Sequence, residues 1–121
     1  MQDATLVVDR RRFERVLANL FDNAANYANG VTVVSLARDG EELVLCVDDD
    51  GPGVSPDKRA AIFERFYRER VASDRRQVAG TGLGLALVRD HVTALGGAVT
   101  CDEAPNGGAR FCLSLPLGSE R

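Results

Sequence analysis

Between Arg12 and Ala28 the apolar residues Phe13, Val16, Leu17, Leu20, Phe21, Ala24 and Ala28 recur at three- and four-residue steps, which predicts a helix buried along one side. Asp9 stands where an N-cap is needed, and Gly30 is placed to supply a left-handed turn at the far end. Before this helix, the β-branched run at residues 5–8 reads as an edge strand. After it, residues 31–38 and 43–47 read as two strands joined through Asp39-Gly40, a strong hairpin signal. Ser55-Pro56 then opens a helix that carries Ala60, Ala61, Ile62, Phe63, Phe66 and Tyr67 towards Arg68. Residues 68–81 lose apolar periodicity, and a polar loop of this length in a small protein reads as a lid. A helix at 83–95 and a second hairpin, with strands at 96–101 and 109–115, complete the pattern.

The polar side of the first helix is unusual. Asn19, Asn23 and Asn26 fall at i, i+4 and i+7, so their amides form one column beside the apolar stripe. A solvated face would more favourably carry Glu, Lys or Arg, which are better helix formers. Any one of these Asn residues alone reads as an ordinary surface position; together they read as a cleft wall. An amide carbonyl is a neutral oxygen ligand suited to Mg²⁺, and it adds no repulsion against a polyphosphate, so Asn23 is the metal candidate.

Two further stretches break the strand and helix rhythm. Asp48-Asp49-Asp50-Gly51-Pro52-Gly53 puts three carboxylates at a strand end, followed by a turn that neither a strand nor a helix can continue. Three adjacent acids repel unless donors neutralise them. Such a turn lets the backbone approach a flat ligand, and a carboxylate at its root can accept from an exocyclic amino group; Asp49 is the candidate acceptor. Gly80-Thr81-Gly82-Leu83-Gly84-Leu85 opens an apolar helix, and a glycine-rich turn at a helix N-terminus offers free N–H groups to an anion. Its spacing matches neither a Walker loop nor a dinucleotide fingerprint.

With 121 residues and 45% hydrophobic positions, the chain is expected to fold as a single domain with one core. Its net charge of −3 does not call for nucleic acid. The charge is unevenly spread: from Lys58 to Arg76, seven basic residues stand against Glu64, Glu69 and Asp74, so an anionic ligand would be drawn there. Cys46, Cys101 and Cys112 form no C-x-x-C pair and read as reduced core residues in a cytoplasmic compartment. With His91 they give no zinc-ligand spacing. His91, the one histidine, reads as a surface or partly packed helix residue rather than a phosphoacceptor.

Taken together and in order, the segments 19–27, 49–53, 63–68 and 80–85 resemble the N, G1, F and G2 boxes of the catalytic ATP-binding domain of bacterial sensor histidine kinases. The resemblance implies an α+β two-layer sandwich, a mixed sheet of about five strands with three helices on one face. It implies that ATP lies between the helices and the lid. By motif position, Asn23 would bind Mg²⁺ with help from Asn19, and Asp49 would accept from the adenine amino group. Gly51 and Gly53 would shape the base pocket, with Asn26 and Tyr27 near the nucleotide. Arg68 would reach the terminal phosphates, and Gly80, Thr81, Gly82, Leu83, Gly84 and Leu85 would meet them under the lid.

Two departures from the family stand out. Many relatives carry Lys or Arg just before the N-box Tyr, where this chain has Asn26. Asn19 stands where the related gyrase, chaperone and mismatch-repair ATPases carry a water-activating Glu, so hydrolysis lacks an obvious base. The family's phosphoacceptor His belongs to a helical dimerisation domain, and no such motif is present here. The chain is therefore expected to be a fragment, monomeric alone, of a homodimeric membrane sensor on the cytoplasmic side, with a response regulator as downstream partner. Two alternatives share the pocket: a nucleotide-responsive module that transfers nothing, and an anti-sigma-type serine kinase.

Overall fold

A computed structural model describes residues 9–65 and 84–117. Helix α1 spans Arg10–Tyr27 and begins as expected: Asp9 Oδ1 accepts from the Arg11 and Arg12 N–H groups, meeting two donors that a helix start leaves unpaired. Its end differs from expectation. The Asn29 N–H, which would continue the helix by bonding Ala25, is taken by the Asp50 carboxylate instead, so α1 stops at Tyr27. Gly30 is not a left-handed cap; its φ is 153° and it leads directly into the next strand.

Four strands follow: β1 (Val31–Asp39), β2 (Glu42–Asp49), β3 (Ala98–Glu103) and β4 (Ala109–Pro116). They form one sheet in the order β1-β2-β4-β3, and every described pair is antiparallel. The expected sheet was mixed with about five strands. The segment expected to supply the fifth, residues 5–8, lies outside the described residues. Helix α2 (Gly84–Ala94) joins β2 to the β3–β4 hairpin and packs beside α1. Period-2 burial along β4 turns Phe111, Leu113 and Leu115 towards the helices, where Val16, Leu20, Val88 and Val92 meet them. The α+β class and the placement of the helices on one sheet face are those that the family resemblance implies.

The helix expected from Ser55 is not formed. Its place is taken by two single 3₁₀ turns, Pro56–Lys58 and Ala61–Phe63, and Ser55 makes no side-chain cap. The adjacent side chains Ile62 and Phe63 both enter the core, and Arg59 Nε donates back to the Val54 carbonyl at 3.0 Å. Tertiary burial of two neighbouring side chains overrides the local helical signal. Phe63 meets Phe111 edge to face, with ring centroids 6.2 Å apart, so this segment is fastened to the centre of the sheet.

The cysteine expectation is corrected as well. Cys46 and Cys112 are cross-strand partners of β2 and β4, with Cα atoms 4.1 Å apart, and are joined as a disulfide. They alternate with the buried Leu45, Val47, Phe111 and Leu113, so the bond lies on the sheet face away from the helices. Their separation of 66 residues hid the pairing, which depends on strand register. Cys101 is free and buried as expected, and burial pushes its thiol up to about 11.

Candidate functional site

The Asn column survives in three dimensions: Asn19, Asn23 and Asn26 are all half-buried on α1, beside the fully buried Leu20 and Ala24. The end of α1 is tied to the end of β2 through Asp50, whose Oδ1 accepts from Asn29 N–H at 2.9 Å and Gly30 N–H at 3.2 Å. The Asp50 N–H donates in return to the Gly30 carbonyl at 3.3 Å. The acidic strand end and the Asn helix are therefore held together by three hydrogen bonds.

Each of the three adjacent acids has its own set of donors, which resolves the repulsion that their sequence implies. Asp50 is held as just described. Asp48 is buried and receives the Arg110 guanidinium through Nε at 2.7 Å and Nη2 at 2.8 Å. These hydrogen bonds raise the Arg110 pKa above its already high ordinary value. Asp49, 5% exposed, accepts through Oδ1 from Gly51 N–H at 2.9 Å and from Ala109 N–H at 3.0 Å. Among the described residues, its Oδ2 receives no hydrogen bond.

The turn after Asp49 is packed closely. Gly53 has φ of +81°, and a Cβ there would stand 2.8 Å from the Gly107 carbonyl oxygen. Gly53 thus lies against the β3–β4 turn, which the sequence pattern alone presents as a plain hairpin connection. Asp48, Asp50, Gly108, Ala109 and Arg110 all act on this site and were not singled out. The signal available for them was the Asn106-Gly107-Gly108 turn placed opposite a strand end that carries three acids.

Helix α2 begins at Gly84, and Leu85 in its first turn packs against the core. Arg68, Gly80, Thr81, Gly82 and Leu83, together with the lid at 68–81, lie outside the described residues. His91 is half-buried, and its Nδ1 accepts from Arg12 Nη1 at 3.0 Å across the α1–α2 contact. A guanidinium can only donate, so the ring proton in this arrangement is on Nε2, and His91 serves helix packing.

The arrangement offers a buried carboxylate acceptor at the root of a glycine turn and a half-buried wall of neutral amides on the adjoining helix. A carboxylate that cannot donate suits the amino edge of a planar base, and amide oxygens suit a hard cation. Comparison with known proteins points the same way. The family model described as histidine kinase-, DNA gyrase B-, and HSP90-like ATPase matches residues 8–119. The sensor protein RstB of Escherichia coli K12 is 46% identical over 110 residues, covering 91% of this chain and 25% of its own length. The signal transduction histidine-protein kinase AfsQ2 of Streptomyces coelicolor is 40% identical over 109 residues, covering 90% of this chain and 20% of its own length. The chain thus spans a quarter or less of these curated relatives. Among solved structures, the mycobacterial sensor histidine kinase MprB superposes with a TM-score of 0.77 at 32% identity, covering 95% of this chain and 76% of that one. Full-length ShkA in complex with AMPPNP gives a TM-score of 0.77 at 36% identity, covering 98% of this chain and 24% of that one. By sequence and by fold, the chain belongs to the family of histidine kinase-, DNA gyrase B- and HSP90-like ATPases, on the side of the sensor histidine kinases.

Proposed function

We propose that this chain binds Mg²⁺-ATP between α1 and the 49–53 turn and supplies the γ-phosphoryl group to a histidine on a separate helical dimerisation domain. The carrying observation is Asp49: a buried carboxylate with one oxygen held by two backbone N–H groups and the other without a donor among the described residues. The AMPPNP complex of the similar ShkA supports an ATP-shaped ligand. Asn23, helped by Asn19, would hold Mg²⁺; their half-burial and neutral oxygen chemistry fit a hard cation that keeps some of its water. When bound, the ion neutralises charge on the transferring phosphoryl group. Asn26 and Tyr27 would lie along the nucleotide, and Gly84 and Leu85, with Gly80, Thr81, Gly82 and Leu83, would stand at the phosphates under the lid.

Arg68 would add positive charge at the terminal phosphate, and the amide at position 19 leaves water without a general base, favouring transfer to a protein acceptor over hydrolysis. In this reading the domain is part of a dimeric sensor on the cytoplasmic face of a bacterial membrane and passes its phosphoryl group on to a response regulator. Similarity to RstB supports that context.

Two experiments test the proposal. Asn23→Ala is expected to weaken ATP binding about tenfold in Mg²⁺, the loss of one charge-assisted contact, and hardly at all in EDTA. Equal effects in both buffers would remove the metal assignment. Mixed with the histidine-bearing helical domain of the longer protein and γ-labelled ATP, the chain is expected to leave acid-labile label on that domain. Tight ATP binding without transfer would favour a nucleotide-responsive module.

A further inference from the structure

We infer that the β3–β4 turn sets the base specificity of the site, with Gly108 and the Ala109 N–H as positioning groups that fix the direction in which the second oxygen of Asp49 faces a ligand. This inference rests on the adenine-nucleotide reading and adds residues outside the 49–53 turn to it.

Asp49 Oδ1 is committed to the protein by two N–H donors, one from its own turn and one from the first residue of β4. The second donor arrives because β4 runs unusually close to the end of β2. A Cβ on Gly108 would overlap the Asp49 carbonyl oxygen and stand 2.9 Å from Oδ1, so a side chain at 108 must push β4 away from the acceptor. The approach is held from several directions. The Gly108 N–H donates to Asn106 Oδ1 at 3.0 Å, its carbonyl accepts from Ala104 N–H at 2.8 Å, and Gly107 N–H donates to the Ala104 carbonyl at 2.9 Å. Two residues further along β4, the forked pair of Arg110 and Asp48 fixes the register between β2 and β4.

The consequence is chemical. With Oδ1 saturated, Oδ2 is the oxygen left for a base, and as an ionised acceptor it matches the 6-amino group of adenine and repels the 6-oxo group of guanine. Without the Ala109 donor the carboxylate can turn about χ2, and its second oxygen is no longer held facing the edge of the base. Affinity for ATP then falls, and rejection of GTP falls further.

The test compares ATP and GTP binding by calorimetry for the wild-type chain and Gly108→Ala, together with amide NMR of the wild type and Asp49→Asn. Gly108→Ala is expected to lose at least tenfold of the ATP-over-GTP ratio, a readout that simple loosening of the fold would not move. In the wild type, the Ala109 amide proton is expected to lie downfield, and to move upfield in Asp49→Asn, where the charged acceptor is replaced by a neutral amide oxygen. An unchanged nucleotide ratio in a folded Gly108→Ala, or an Ala109 amide indifferent to Asp49, overturns the inference while leaving the adenine reading intact. If Gly108→Ala does not fold, the comparison of the Ala109 amide in the wild type and Asp49→Asn decides. Absence of any ATP preference in the wild type would instead bring down the adenine reading itself.

Discussion

Asp49→Asn is expected to weaken ATP binding by about 100-fold and to erase or reverse the preference for ATP over GTP. The substitution is nearly isosteric, and the two N–H donors from Gly51 and Ala109 will keep an oxygen facing them. The new NH₂ therefore takes the position of Oδ2. A donor then meets the adenine amino group, and an acceptor on guanine at the same place becomes a partner. Loss of a charge-assisted hydrogen bond costs about 1.5–3 kcal/mol, and a donor set against a donor adds to it, which gives the stated order of magnitude. Because the Oδ1 contacts persist, the melting temperature is expected to stay within a few degrees of wild type. Calorimetry with both nucleotides checks the prediction, and ATP affinity unchanged within twofold would move the base acceptor elsewhere.

The largest stability effect is expected at Phe111. Its ring is 3% exposed, lies at the middle of β4, and packs edge to face on Phe63. Phe111→Ala leaves a cavity where sheet, helices and the 61–63 turn converge, at a cost of about 3–5 kcal/mol. Domains of this size have only about 5–15 kcal/mol of stability, so the melting temperature should fall by roughly 10–20 °C. Thermal unfolding followed by circular dichroism measures this; a drop under about 3 °C would mean that the core does not close around Phe111. The surface pair Arg65–Asp90, at 3.4 Å and well exposed, should by contrast be nearly silent when removed.

What the chain reveals on its own depends on how far apart the interacting residues are. Helix α1, its Asp9 cap and the Asp39-Gly40 hairpin were legible because each is set by residues within a few positions. The 3₁₀ turns at 56–63 were not legible, because the burial of Ile62 and Phe63 against β4 outweighs a good local helix start. The Cys46–Cys112 bond and the Arg110–Asp48 fork were hidden for a related reason. Both exist only in the β2–β4 register, which joins strands more than sixty residues apart. The contribution of Gly108 belongs to the same class: its lack of a side chain matters only because Asp49 lies against it.

The most direct measurement is titration calorimetry of this chain with ATP, in Mg²⁺ and in EDTA, with GTP as the comparison. The account predicts adenine-selective binding that Mg²⁺ strengthens. Equal affinity for ATP and GTP, or no binding of either with the fold intact, would contradict a base pocket built on Asp49.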